Sequence, residues 1–417
     1  MRLSARPRVT HVGNVELHEV FFVSELDAEG QDTSGDGMEN TSVGQQNVVI
    51  SRNSIEAIER NLTIVIPCMN EDRDVLQALL RGVPHWCLVI LISNSEQQSF
   101  ETERKLLLDF GRMTDRDVIV EHQGSPSFAR AFQEAGVTNL LQIPREEGDP
   151  PRINNGKGEA MILGVIIAKH MKRKFVGFID ADNRVPGSVL EYCKVYAAGL
   201  HYALRNTDYS GREQHAMVRI KWKSKPKVKD GELVFSEFGR SSRVVNDWMN
   251  RFLKALGGDT TPDTMIGTSN AGEHAMSIDL ALKLRFATGY AVEPFQLIDI
   301  WERFSVSKEP LSVRILQIET CNPHIHNAGH DADHIERMQV QGLSTIYHSE
   351  LTTSRLKDEL RAYMRDNLSM FMGDNGEPEK PLVYDPLDSL DWGIFAEILQ
   401  ECETQARVKP EESVAAR

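Results

Sequence analysis

Lys174-Phe175-Val176-Gly177-Phe178-Ile179-Asp180-Ala181-Asp182-Asn183 is the stretch that decides the fold. Phe175, Val176, Phe178 and Ile179 predict a short buried strand. Val185-Pro186-Gly187-Ser188 then opens a helix, and Pro186 suits a first helical turn. Two aspartates at the carboxyl end of a parallel strand stand where open α/β sheets bind ligands. Carboxylates at i and i+2 offer hard oxygen ligands to Mg²⁺ or Mn²⁺, which takes phosphate oxygens and water as its other ligands. The competing reading is a solvated turn, since Asp is common after strands.

Upstream, Asn154-Asn155-Gly156-Lys157-Gly158-Glu159-Ala160-Met161 runs into an apolar helix. A glycine-flanked lysine at a helix start puts a point charge beside backbone N–H groups, which suits a diphosphate. The GxxxxGK[ST] loop is absent, and a plain Gly-rich loop with an exposed lysine is the alternative. Further back, Asn61–Pro67 predicts a strand, followed by Pro67-Cys68-Met69-Asn70-Glu71 and a helix through Val75, Leu76, Leu79 and Leu80. Strand, turn and helix make a βα unit. Leu88–Ser95 predicts a second strand, with small polar residues at its end. Asn70, Glu71, Ser93 and Ser95 either grip a nucleoside or cap the following helices. A helix through 100–113, a strand at 118–120 and a polar helix over 123–136 follow.

Downstream of the aspartates, a helix from about 187 to 204 presents Val189, Leu190, Cys193, Tyr196, Ala197 and Leu200 as a core face. Residues 217–223 alternate as a strand, and the basic run Lys221–Lys229 reads as a solvated hairpin. Gly239-Arg240-Ser241-Ser242-Arg243 precedes an amphipathic helix. Guanidinium, hydroxyls and helix N–H groups together suit a small anion, against a reading as plain N-caps and surface charge. A Gly- and Thr-rich stretch over 257–275 suits a ligand cleft. Glu293 is either a site carboxylate or a charge at a helix amino terminus. A late strand, 313–318, leads to Asn322-Pro323-His324-Ile325-His326-Asn327. One of its two histidines is read as the protein's third metal ligand. Residues 335–371 predict helix.

At the amino terminus, Val15–Val23 reads as an edge strand and 26–47 as a mobile loop too polar to order itself. The chain divides into an N-terminal segment (1–57), an α/β nucleotide-binding core (58–230), a region 231–348 bearing the anion loop and the histidines, and C-terminal helices with a polar tail (349–417).

With 417 residues there is ample chain for a large core. The net charge of -14 argues against general nucleic-acid binding. Five widely spaced cysteines without a CxxC pair fit free thiols and a reducing compartment. The amino-terminal arginines are not followed by an apolar core, so no secretory signal is read. No run approaches the ~18 apolar residues of a membrane span. A cytoplasmic enzyme is the expectation.

Taken in order, PCMNE, SNS, NNGKGEAM, FIDADN, FGRSSRVVN, TSNAGEHA, GYAVEPF and IETCNPHIHN resemble the mannosyl-3-phosphoglycerate synthases, retaining glycosyltransferases of the GT-A type. The resemblance covers about residues 10 to 370. It implies a Rossmann-like nucleotide-sugar-binding fold with a mostly parallel sheet. It also implies a GDP-mannose donor, a 3-phospho-D-glycerate acceptor, a divalent metal (Mg²⁺ or Mn²⁺) and a homodimer. Pro67, Cys68, Asn70, Glu71, Ser93, Lys157 and Asp180 match the nucleotide positions. Asp180, Ala181 and Asp182 match the DxD motif, with Asp182 the direct metal ligand. His324 matches the metal histidine, with His326 as its alternative. Gly239, Arg240 and Ser242 match the acceptor loop. Glu293 matches a carboxylate near the donor sugar, and Asp180, Asp182, Arg240 and Glu293 carry the catalytic roles.

A glucosyl-3-phosphoglycerate synthase is the runner-up, because the motifs do not separate sugars that are epimers at C2. A sugar nucleotidyltransferase would need a basic Gly-rich loop after the first strand, which PCMNE is not. A catalytically dead sugar-nucleotide binder would have lost a metal ligand, yet Asp182 and His324 remain.

Overall fold

The computed structural model describes residues 1–5, 8–26, 36–40, 46–142, 150–205, 213–224, 226–229, 232–234, 240–258, 261–305, 311–327, 332–370, 373 and 376–399. The chain opens with strands β1 (Arg2–Ala5), β2 (Val9–Val12), β3 (Val15–His18), β4 (Phe21–Glu25), β5 (Gly37–Asn40) and β6 (Gln46–Val49). Alternation follows with α1 (Arg52–Glu59), β7 (Leu62–Cys68), α2 (Arg73–Gly82), β8 (Leu88–Ser93), α3 (Gln97–Thr114), β9 (Val118–His122) and α4 (Pro126–Glu134). Next come α5 (Lys157–His170), β10 (Phe175–Phe178), α6 (Pro186–Arg205), β11 (Glu213–Lys221), β12 (Lys227–Lys229), β13 (Glu232–Val234) and α7 (Arg240–Gly257). The remainder is β14 (His274–Ser277), α8 (Ile278–Lys283), β15 (Phe286–Ala287), α9 (Val292–Phe304), β16 (Leu311–Glu319), β17 (His326–Asn327), α10 (Ala332–His348), α11 (Ser354–Asn367) and β18 (Val383–Tyr384).

A 13-stranded sheet runs β5-β6-β1-β4-β16-β11-β14-β10-β7-β8-β9, with β3 also on β16 and β2 on β3. The half β10-β7-β8-β9 is wholly parallel. It is the Rossmann-like part of the GT-A expectation, and its strands read as near-continuous apolar runs because helices cover both faces. All six residues of β8 are buried. Helix α5 is buried from Gly158 to Ala168 and, Glu159 apart, carries no charge there, as suits a helix enclosed on every side. At Gly164 a Cβ would come within 2.4 Å of Val65, so the glycine lets α5 lie close on β7.

Three expectations need correction. Val15–Val23 is not one edge strand. It breaks between β3 and β4, and both pair in parallel with β16 inside the sheet. The N-terminal segment and the nucleotide-binding core therefore share one sheet. Within 26–47, Gly37–Asn40 pairs with Gln46–Val49 as a hairpin, while 27–35 and 41–45 lie outside the described residues. The hairpin's sparse apolar content hid it, because its order comes from pairing with β1 and from one carboxylate. Leu190, read as core, is 38% exposed, and Tyr192 takes the buried position. Of the basic run Lys221–Lys229, Lys221 ends β11 and only Lys227–Lys229 forms a hairpin arm, β12, which pairs with β13 and, in parallel, with β17.

That one carboxylate is Asp36. It accepts hydrogen bonds from the Ser51 N–H (2.9 Å), the Ser54 hydroxyl (3.1 Å) and His201 Nε2 (2.6 Å), tying the hairpin to α1 and α6. Burial alone would raise its carboxyl, but these donors outweigh it and hold the group down at about 2. A depressed carboxylate stabilises the fold above its unfolded value of ~3.9 and loses that stabilisation as pH falls through the folded value. Asp36→Ala is expected to cost about 2 kcal/mol at neutral pH and almost nothing near pH 2. Denaturant titration at both pH values checks this, and an equal deficit at pH 2 would contradict it.

Candidate active site

The carboxyl ends of the parallel strands β7, β8 and β10 lie at one edge of the sheet. After β7 the backbone turns through Asn70 in a left-handed conformation (φ 54°), which Asn tolerates better than most residues. Its N–H donates to Ser95 Oγ at 2.7 Å, and its side-chain oxygen accepts the Glu96 N–H at 3.3 Å. Helix α2 is capped by Asp72 and not by Asn70. Nor do Ser93 and Ser95 cap α3. Both hydroxyls donate to the buried Glu103 of α3, each at 2.6 Å, and the Cys68 thiol lies 3.4 Å from the same carboxylate. Burial and the Glu103 charge push the Cys68 thiol far up, so it stays protonated. Cys68 and Ser93 thus turn their side chains toward Glu103. Glu71 does face outward. It lines a cavity of about 230 Å³ with Arg73, Gln98 and Thr102, and burial raises its carboxyl.

Lys157, Asp180 and Glu293, far apart in sequence, meet. Lys157 Nζ lies 2.5 Å from Asp180 Oδ1 and 2.6 Å from Glu293 Oε1. The lysine side chain is only 15% exposed, which alone would lower its pKa. The two carboxylates outweigh that and hold the ammonium well above its ordinary value. Glu293 sits in the first turn of α9 and is more than a charge at a helix end, since its carboxylate is buried on Lys157.

Close backbone packing fixes the lysine. A Cβ on Gly158 would lie 2.0 Å from the Ala287 carbonyl oxygen, and one on Gly272 would lie 2.3 Å from Asp180 Oδ2. These glycines allow the segments to touch. Glu159, fully buried, accepts from Tyr384 (2.6 Å) and Thr288 (2.5 Å), so it joins the lysine turn to the turn before Glu293 and to β18. The fully buried Arg219 donates to the carbonyls of Thr268 (3.2 Å), Ser269 (2.6 Å) and Glu293 (3.2 Å). Burial pushes its guanidinium down to about 10, against the pull of the Glu293 charge. Neither Arg219 nor Glu159 stood out in the sequence, because each acts on partners dozens to hundreds of residues away.

The two candidate metal loops run side by side. The Arg184 N–H donates to the Ile325 carbonyl at 3.3 Å. His324 is buried, 5.0 Å from the Trp222 ring. Its Nδ1 lies 3.3 Å from the Tyr192 hydroxyl, 3.4 Å from Asn183 Nδ2 and 3.7 Å from the Glu273 carboxylate. These contacts hold the imidazole from its Nδ1 side. The backbone of His326 pairs with Lys227, and its side chain lies outside the described residues. Among the described residues no three His, Cys, Asp or Glu side chains are grouped to hold a metal. One carboxylate and one imidazole on neighbouring loops still fit a cation that draws its remaining ligands from phosphate and water.

Of the anion loop, Gly239 and the Arg240 side chain lie outside the described residues, while Arg240 begins α7 and Ser242 is half-buried beside it. Asn246 binds α7 to the 267–272 loop. It donates to the Gly267 carbonyl (2.9 Å) and accepts from the Ser269 N–H (2.7 Å) and hydroxyl (2.6 Å).

Gly158→Ala is expected to cost about 3 kcal/mol and to cut turnover roughly tenfold or more, by separating the lysine turn from Ala287. Chemical denaturation and steady-state kinetics check this. Wild-type turnover in the variant would contradict the packing argument.

Comparison with known proteins bears on the whole chain. The family described as mannosyl-3-phosphoglycerate synthase matches residues 5–399. The mannosyl-3-phosphoglycerate synthase of Pyrococcus furiosus is 33% identical over 391 residues, covering 91% of this chain and 92% of its own. That of Aeropyrum pernix is 29% identical over 411 residues, covering 96% and 98%. Among solved structures, glucosyl-3-phosphoglycerate synthase from Mycobacterium tuberculosis in complex with phosphoglyceric acid aligns with a TM-score of 0.46 and 17% identity, over 81% of this chain and 95% of that one. Among the described residues no helix is long and apolar enough to cross a membrane. A match over nearly the full length, carried by relatives of nearly equal length, makes this chain a member of the mannosyl-3-phosphoglycerate synthase family of glycosyltransferases.

Proposed function

We propose that the protein transfers mannose from GDP-mannose to the 2-hydroxyl of 3-phospho-D-glycerate, releasing GDP and retaining the anomeric configuration. The observation that carries this reading is the buried ammonium of Lys157 between Asp180 and Glu293, beside the DxD loop. A nucleoside diphosphate is a poor leaving group until its charge is balanced. Lys157 supplies a fixed positive charge where that charge develops. Asp182 and His324, with His326 as the alternative, would hold a divalent cation, Mg²⁺ or Mn²⁺, whose chemistry is to neutralise the departing diphosphate. Glu71 follows β7, and the cavity that it lines with Arg73 of α2 and Gln98 and Thr102 of α3 is assigned to the nucleoside.

Asp180 and Glu293 keep Lys157 charged and offer further oxygens to ribose and mannose hydroxyls. Both carboxylates are drawn to the ammonium, which makes either a poor nucleophile for a double displacement. That favours attack on the face the leaving group departs from, with a phosphate oxygen of GDP taking the acceptor proton. The acceptor's phosphate is assigned to Gly239, Arg240 and Ser242 at the start of α7. Asn246 fixes that helix against the loop 267–272, so the acceptor side and the Glu293 side move as one body.

The test is a product assay with Mg²⁺, 3-phosphoglycerate and either GDP-mannose or GDP-glucose, with the anomeric configuration read by NMR. Mannosyl-3-phosphoglycerate with retained configuration is expected. Preferential use of GDP-glucose, or inversion, would overturn the reading. In the same assay Asp182→Ala is expected to abolish turnover. Arg240→Ala should raise the KM for 3-phosphoglycerate by roughly tenfold or more while that for GDP-mannose holds. An unchanged acceptor KM would remove Arg240 from the acceptor site.

A further inference from the structure

The histidine loop leaves β16 at Glu319 and reverses direction through Thr320, Cys321, Asn322 and Pro323. The Thr320 N–H reaches the Lys221 carbonyl of β11 at 3.1 Å and the His324 N–H the Ser224 carbonyl at 3.0 Å, but the Cys321 and Asn322 N–H groups between them need other acceptors. One side chain serves them. Glu191 of α6 is fully buried, and it accepts the Cys321 N–H at 2.6 Å and the Asn322 N–H at 2.8 Å. It also accepts the Asn322 side-chain amide at 2.8 Å. Three donors converge on one carboxylate, which is how a buried charge is made tolerable. One helical turn earlier, the Ser188 hydroxyl donates to the Pro323 carbonyl at 2.7 Å. Next to Glu191, the Tyr192 hydroxyl meets His324 Nδ1 at 3.3 Å. Ser188, Glu191 and Tyr192 stand at i, i+3 and i+4, one stripe on the first two turns of α6. That helix begins at Pro186, four residues after Asp182.

We propose that Glu191 is a positioning residue that sets the histidine loop against the DxD loop, so that His324 and Asp182 address the same cation. This rests on the reading of those two residues as metal ligands. Helix α6 is the rigid part, since its amino end continues the DxD loop and its side chains grip the histidine loop. Glu191 touches neither cation nor substrate. It acts by fixing where His324 can be, and small displacements of a ligand loop weaken metal binding far more than they weaken a fold. Glu191→Gln keeps the size of the side chain. It replaces one acceptor oxygen with an NH₂ group that faces a backbone N–H, so the loop must shift.

The experiment is Mn²⁺ binding followed by electron paramagnetic resonance, with full-length protein and GDP, for wild type and Glu191→Gln. Folding is followed by circular dichroism and thermal melting. The expected result is a Kd for Mn²⁺ raised about 10- to 100-fold, the range typical of residues that orient metal ligands. Raising the metal concentration should restore most of kcat. A Kd within twofold of wild type in a folded variant would overturn the proposal. Should Glu191→Gln not fold, Glu191→Asp keeps the charge but draws the carboxylate back from the Cys321 and Asn322 N–H groups, so it must still weaken Mn²⁺ binding, and an unchanged Kd there overturns the proposal equally. Wild-type protein that binds no Mn²⁺ with GDP would overturn the metal reading and the proposal with it. Normal wild-type binding with an unaffected variant would overturn the positioning role alone.

Discussion

Two carboxylates share one buried ammonium, and the rest of the site is arranged around that contact. Lys157, Asp180 and Glu293 come from a helix start, a strand end and a second helix start. A buried pair of unlike charges is weak evidence for stability, but removing one partner leaves an uncompensated charge. Here a single lysine balances two carboxylates, so the group as a whole is negative. A diphosphate would add more negative charge, and only Lys157, a bound cation and local N–H groups offset it. That constraint explains why an acidic protein keeps this lysine dry and fixed, when a lysine in water would serve a phosphate only loosely.

The packing around the lysine follows from the same need. Gly158 and Gly272 remove the side chains that would hold Ala287 and Asp180 away. Glu159 and Arg219 use buried charges to bind loop backbones and hydroxyls, where a hydrophobic core would leave those polar groups unsatisfied. Glu103 does this for the turns after β7 and β8. Each of these acts on loops that carry site residues. They give the cleft its shape, and the apolar sheet beneath gives it rigidity.

Much of this was legible in the sequence where the signal is local. β7, β8 and β10 are apolar runs that end in polar turns, and α6 starts at its proline. The DxD stretch, the lysine turn and Glu293 were each readable as site candidates, although nothing local said that they touch. The buried hubs were not read. Glu103 lies on the apolar face of α3 with Phe100, Leu107 and Phe110, and Glu191 lies on the buried face of α6. A carboxylate breaking an apolar face is a signal, but its partners are set by tertiary contact. The strands β1 to β6 were missed or misjoined because each is only four or five residues long. Their order comes from pairing with one another and with β16, whose own sequence lies nearly three hundred residues later. That Ser93 and Cys68 turn their side chains to Glu103 was illegible for a related reason. Strand alternation cannot say which face a buried helix will claim.

The central claim is that Lys157 is the fixed charge that receives the diphosphate. The most direct test is calorimetric titration of GDP into wild type and Lys157→Met at saturating Mg²⁺. The account predicts a loss of about 3 kcal/mol or more, roughly a hundredfold in Kd, because Asp180 and Glu293 would then face the diphosphate without their counter-ion. GDP binding to Lys157→Met as tight as to wild type would contradict it.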